Sequence, residues 1–226
     1  MNKQKQVRRI FDSISYRYDF LNHLLSGGVD FYWRKKALKL SNISKDSILL
    51  DVACGTGDFA IAAKKMGVNK IIGADLSLNM LKLFTKKSDW IKGNLVETVA
   101  EEIPFKENSF TNITVAFGVR NFYNLLEGFK SFHRILKKNG KATILEFRLP
   151  SNSLVKWVYL FYFKNILPFV GNLISKDKEA YTYLPESVDE FDAKIDLKKY
   201  LLDAGFSKVT IKQATFGIVQ IAIAEK

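Results

Sequence analysis

Apolar residues recur at helical spacing from the start of the chain, at Ile10, Phe11, Ile14, Tyr18, Leu21 and Leu25, up to a break at Ser26-Gly27-Gly28. Residues 1 to about 40 are therefore read as a helical cover. From residue 47 the pattern becomes short apolar runs separated by amphipathic stretches. SILLDVA reads as a strand followed by a helix from 58, and KIIGADL as a strand followed by a helix from 77. A short WIKG comes next, then NITVAFG, a helix from 124, and KATILEF. The last stretch, DLKKYLLDAGFSKVTIKQATFGIVQIAIAEK, gives a helix ending at Gly205 and two tightly joined strands. This alternation implies right-handed crossovers and a doubly wound, mostly parallel seven-stranded sheet of the α/β class. Ligands of such sheets sit beyond the carboxyl ends of the strands, so chemistry is sought just after each strand.

Residues 150 to 175, PSNSLVKWVYLFYFKNILPFVGNLIS, break this rhythm with Trp157, Tyr159, Phe161, Tyr162, Phe163 and Phe169. Two compatible readings are open: a helix pair packed in the core, or an apolar lid that shapes a hydrophobic substrate pocket or touches a membrane, with Lys156 and Lys164 snorkelling. The 226 residues read as one domain, with a cover at 1–45, a core at 46–149, a substrate-lid insertion at 150–190 and a closing unit at 191–226.

Composition narrows the class. With 47% hydrophobic and 26% charged residues the chain is globular and leaves no room for a long disordered tail. Lys156 and Lys164 interrupt the best candidate for a membrane span, and MNKQKQVRR lacks the apolar core of a signal peptide, so a cytoplasmic protein is expected. The single cysteine, Cys54, excludes an internal disulfide, and no cluster with metal-ligand spacing surrounds His23 or His133. No metal is expected. The net charge of +12 invites a nucleic-acid reading. Yet only seven of the 35 basic residues are arginine, and the lysines are spread along the chain without stacking aromatics. That pattern also suits a solvated surface or an anionic membrane face, and no nucleic-acid partner is expected.

The sharpest chemical signal is LLDVACGTGDFA at 49–60. Gly55, Gly57 and Ala60 satisfy G-x-G-x-x-A, which alone leaves a dinucleotide site formally open. Asp51 ends the strand before this loop and is expected to face the ligand, where a carboxylate opposes a pyrophosphate and attracts a sulfonium or ammonium. S-adenosylmethionine carries both cations. The glycines would let backbone approach it, and Thr56 would contact it from within the loop. Asp75 closes the second strand eighteen residues after Gly57, where an acid accepts the hydroxyl hydrogens of a ribose; the competing reading is a cap for the helix at Ser77 to Lys87. Asp58 is either a ligand contact or a helix cap.

Residues 49–60 with GADLS at 73–77 resemble the first two motifs of class I S-adenosylmethionine-dependent methyltransferases, which have a Rossmann-like fold. AEEIPFKENSF at 100–110, VAFGVRNF at 115–122 and RILKKNGKATILEF at 134–147 resemble a narrower group, the quinone-biosynthesis C-methyltransferases. The resemblance extends to FDSISYRYDFLNHLLSGGVDFYWR at 11–34 and KDKEAYTYLPESV at 176–188, so it covers nearly the whole chain.

The resemblance implies a prenylated quinol as substrate, with demethylmenaquinol favoured and a ubiquinone precursor as the near alternative; the basic charge suggests an RNA methyltransferase as a remoter one. The basic charge favours a peripheral position at the anionic inner face of the cell membrane, and a homodimer is left open. The resemblance also adds Leu76 beside Asp75 to the cofactor site. The adenine contact is ambiguous: Gly93 and Asn94 stand five residues upstream of the family pattern, whose usual positions hold Val99 and Ala100. Ala116 stands where relatives can have serine. Tyr18 and Asp19 match a run thought to close over substrate; Tyr181, Tyr183 and Trp157 would line the acceptor and its prenyl tail.

Arg120 follows the fourth strand within an apolar run, where a guanidinium is costly without a partner. It would stabilise a phenolate or hold a proton-accepting water, or else pair with Asp19 or a similar acid. Asn121 would orient the same hydroxyl, or cap the following helix. His133 is read as structural and His23 is left open.

Overall fold

The computed structural model describes residues 3–166 and 178–226. Its strands are β1 (Ile48–Val52), β2 (Lys70–Asp75), β3 (Leu95–Glu97), β4 (Phe110–Ala116), β5 (Leu136–Phe147), β6 (Lys208–Ala214) and β7 (Val219–Glu225). They form one sheet of order β3-β2-β1-β4-β5-β7-β6, parallel from β3 through β5, with β7 antiparallel to both β5 and β6. The mostly parallel, seven-stranded α/β sheet expected from the pattern is present.

Parallel strands covered on both faces read as continuous apolar runs, because successive side chains enter opposite halves of the core. Leu50, Ile113 and Ile144 pack on one face against Phe129 and Phe132 of α5 (Leu125–Ile135) and Leu201 of α8 (Leu197–Asp203). Leu49, Ile71 and Leu145 pack on the other against α2 (Val29–Leu40), α3 (Asp58–Lys65) and α4 (Leu78–Lys87).

Helix starts follow local chemistry. Ser77 accepts the Met80 amide, Asn124 that of Glu127 and Asp196 that of Lys199, each at the N-cap of its helix. These caps displace the alternatives weighed for Asp75 and Asn121. The cover is two helices, α1 (Lys3–Leu25) and α2, separated where Gly27 and Gly28 adopt φ of 58° and 78°. WIKG is not a strand. Asp89–Ile91 forms a 3₁₀ turn, and the third strand is Leu95–Glu97, an edge segment too short to show a period.

After β5 the chain forms α6 (Ser153–Phe161), continued by a π-helical turn at Tyr162–Ile166. α6 is not a core helix: Tyr159 is buried, but Leu154, Trp157, Val158 and Phe161 are exposed, Trp157 at 65%. Phe169 lies outside the described residues. α7 (Lys178–Lys194) then leads to the closing helix and strands. No helix among the described residues is long and apolar enough to cross a membrane.

Candidate active site

The carboxyl ends of β1 to β4 open into a cleft that is continuous with solvent. Its walls bring together Gly55, Asp75, Leu76, Val99, Ala100 and Ala116, which lie just after or at the ends of their strands, and Asn121 beyond them. Gln4, Val7 and Phe11 of α1 complete it. Two wall residues carry backbone strain: Ala53 and Phe117, just beyond β1 and β4, have φ of 49° and 57°. Tight packing holds them, since a Cβ added at Gly118 would lie 2.7 Å from that of Ala53.

Asp75 organises the mouth of the cleft. Its Oδ2 accepts the Gly55 amide at 2.7 Å and its Oδ1 the Ser77 amide at 2.8 Å. Burial pushes its carboxyl up to about 6 against the pull of those amides, and Asp12 adds to the rise. Gly57 shapes the loop from behind: its φ is 90°, and an added Cβ would lie 2.2 Å from the Phe84 ring.

Asp51 departs from the sequence expectation. It is buried in the sheet and is not on the cleft wall; Oδ1 accepts the Thr114 hydroxyl at 2.8 Å and Oδ2 the Ala60 amide at 3.1 Å. The cause is register: β4 sets Thr114 directly beside Asp51, and α3 turns its Ala60 amide onto the carboxylate. Burial raises this acid to about 7. The strand-end acid on the cleft wall is Asp75, and Glu101 also lines the cleft. Thr56 donates to Asp19, which also accepts from Lys87 at 2.8 Å, so neither residue walls the cleft. Asn94 is likewise absent from the wall, its carbonyl accepting the Gly73 amide; Val99 and Ala100 occupy that side.

Arg120 has a partner the sequence reading did not name. Its Nη1 meets Glu146 Oε1 at 2.7 Å and the Phe117 carbonyl at 2.6 Å, and Nε donates to Ser187 Oγ at 3.3 Å. Asp19 is therefore not its counter-ion, because β5 lies beside β4 and delivers Glu146 instead. Burial raises the Glu146 carboxyl and Arg120 opposes that rise. Asn121 Oδ1 accepts the Tyr183 hydroxyl at 2.8 Å, joining α7 to the far end of the cleft. Trp157 is exposed and stacks on Phe161, away from the wall. The side chains of Tyr18 and Tyr181 lie outside what the structure describes. Lys3 was also unforeseen: its ammonium donates to the carbonyls of Arg120 and Phe122, tying α1 to the turn at Val119–Asn121. Glu146 did leave a trace in the sequence, as the lone acid in the apolar run KATILEF.

His23 stands between Asp30, 2.9 Å from Nδ1, and Asp58, 3.5 Å from Nε2. Asp30 also binds Arg34 and Asp58 also binds Lys87, so cations already answer both acids. Asp58 opens α3 without a side-chain cap bond. His133 packs edge-on against Phe206, in keeping with its structural reading.

A model of the ubiE/COQ5 methyltransferase family matches residues 1–226. The chain belongs to that family. Among its relatives, a demethylmenaquinone methyltransferase of Chlorobaculum tepidum is 43% identical, covering 99% of this chain and 93% of that protein. A ubiquinone/menaquinone biosynthesis C-methyltransferase UbiE of Geotalea uraniireducens is 40% identical over 99% of this chain and 97% of its own. The fold is also that of a Thermotoga maritima structure described as an S-adenosylmethionine-dependent methyltransferase, possibly acting on histamine. That match has a TM-score of 0.68 at 17% identity and covers 96% of this chain and 99% of the other. The cleft of this ubiE/COQ5 member suits such a donor: one acid at a strand end, a glycine loop that excludes a Cβ, and apolar wall residues at Leu76, Val99 and Ala100.

Proposed function

We propose that this protein transfers a methyl group from S-adenosylmethionine to a ring carbon of demethylmenaquinol. The observation that carries the reading is the single cleft joining Asp75 and the glycine loop at one end to the Asn121–Tyr183 pair at the other. When bound, S-adenosylmethionine supplies an electrophilic methyl on a sulfonium.

Asp75, when ionised, accepts ribose hydroxyls, while Gly55, Leu76, Val99, Ala100 and Ala116 bracket the nucleoside with backbone and small apolar groups. Asp51 contributes from behind, fixing β1 to β4 and to α3 through Thr114 and Ala60. Thr56, Gly57 and Asp19 shape the loop from its far side. Asn94 supports the edge through its carbonyl.

At the acceptor end, Asn121 and Tyr183 orient a ring hydroxyl, and Arg120 lies beneath them with its charge balanced by Glu146. Loss of the hydroxyl proton makes the adjacent ring carbon nucleophilic. After methyl transfer the ring carbon would shed its own hydrogen as a proton while the ring oxygen regains one, so that one proton is released overall and accounts for the donor's positive charge.

The apolar stripe of α6, Leu154, Trp157, Val158 and Phe161, lies in a segment without acids and offers a path for the prenyl tail beside an anionic membrane face. Tyr18 and Tyr181 belong to the segments that close over the acceptor. A benzoquinol acceptor is the second reading, since the name of the Geotalea relative covers ubiquinone as well as menaquinone biosynthesis. Expressing the chain in a bacterium deleted for its own ring methylase separates the two. Mass spectrometry that finds methylated menaquinone supports the proposal; methylated ubiquinone precursors alone favour the second reading, and restoration of neither quinone overturns both.

A further inference from the structure

Glu146 is fully buried in β5 beside Leu145 and Ile144, a place where an apolar residue would satisfy the fold at lower cost. Its Oε1 takes the Arg120 guanidinium at 2.7 Å and the Phe147 amide at 2.9 Å, and Oε2 faces the backbone amide of Arg120 at 3.5 Å. One carboxylate therefore holds both the side chain and the main chain of the residue preceding Asn121. Through the guanidinium it also reaches α7, since Arg120 Nε donates to Ser187, one helical turn beyond the Tyr183 that meets Asn121. Glu146 is not on the cleft wall.

We infer that Glu146 is a positioning residue for methyl transfer, fixing Arg120 so that the Asn121 turn and the Tyr183 helix meet at the acceptor end of the cleft. This rests on the methyl-transfer reading above. Its effect falls on the acceptor and not on the donor, because its carboxylate bonds Arg120 and the neighbouring Phe147 amide, and none of these bonds involves Gly55, Asp75 or Leu76. It also sets the local charge. Lys3 reaches the pair's turn from α1, Tyr159 faces it from α6, and Tyr183, Glu190 and Asp192 belong to α7. Removing the Glu146 charge leaves a guanidinium without its counter-ion beside the acceptor hydroxyl.

The test compares wild type, Glu146→Gln and Glu146→Asp in binding of S-adenosylmethionine by calorimetry and in methylation of chemically reduced demethylmenaquinone. Glu146→Gln is expected to keep donor affinity, lose kcat roughly tenfold or more, raise the acceptor KM, and shift the kcat–pH profile about one unit lower. Glu146→Asp keeps the charge, so its profile stays in place while kcat falls. Wild-type kcat in Glu146→Gln, or a reduced kcat with an unmoved profile, overturns the inference and leaves methyl transfer intact. Should Glu146→Gln not fold, wild-type kcat and KM in Glu146→Asp overturn it instead. A wild-type protein that methylates no reduced quinone takes down both readings.

Discussion

The Tyr183 hydroxyl donates to Asn121 Oδ1 at 2.8 Å, closing a separation of 62 residues and fastening α7 to the end of the cleft. Tyr183→Phe keeps the ring and removes that bond. The variant is expected to raise the acceptor KM several-fold, leave donor affinity unchanged and lose about 1 kcal/mol of stability, read by steady-state kinetics, calorimetry and denaturant unfolding. A variant whose donor binding falls in step with its KM would contradict a role confined to the acceptor end.

Asp75 sets the pH dependence of donor binding. With its carboxyl at about 6, the ionised acceptor needed by the ribose is depleted as pH falls through that value. Affinity for S-adenosylmethionine is expected to be flat above pH about 7 and to weaken by about tenfold per unit below about 6. Asp75→Asn removes this dependence and binds about ten- to a hundredfold more weakly at pH 8. Titrations between these limits check both statements.

Asp51 acts on stability instead. Its carboxyl stands at about 7 in the folded protein and near the ordinary 3.9 in the unfolded chain. A group raised on folding stabilises below its unfolded value and loses that contribution as pH rises through the folded one. The ligand-free protein should therefore melt at progressively lower temperature between pH about 4 and about 7, with Asp75 contributing in the same direction. A melting temperature that instead climbs steadily through that window, equally in wild type and Asp51→Asn, contradicts a raised Asp51 carboxyl.

Much of the donor site was legible because its parts are local in sequence. Gly55 follows β1 and Asp75 ends β2, strands whose apolar runs are visible, and a doubly wound sheet puts strand ends together without further information. The direction in which Asp51 points was not legible, because it depends on Thr114 arriving in register on β4. The partner of Arg120 depends on which strand lies beside β4, and sequence order alone does not tell Glu146 from Asp19. WIKG and the true third strand differ for a similar reason: a three-residue edge segment is defined by its pairing with β2 and carries no period of its own.

Gly57→Ala tests the loop. The added methyl lands on the Phe84 ring at a residue whose φ of 90° already disfavours a side chain. A loss of at least about 2 kcal/mol and a collapse of donor affinity are expected, measured by unfolding and calorimetry. Near-neutral behaviour would mean that the Phe84 cradle is not formed.

The central claim is methyl transfer from the cleft to a quinol ring. Purified protein given S-adenosylmethionine with a deuterated methyl and reduced demethylmenaquinone should yield menaquinone whose deuterium resides wholly on the ring methyl, by mass spectrometry and NMR. An unlabelled quinone after many enzyme equivalents of donor, with the donor recovered intact, would contradict the account.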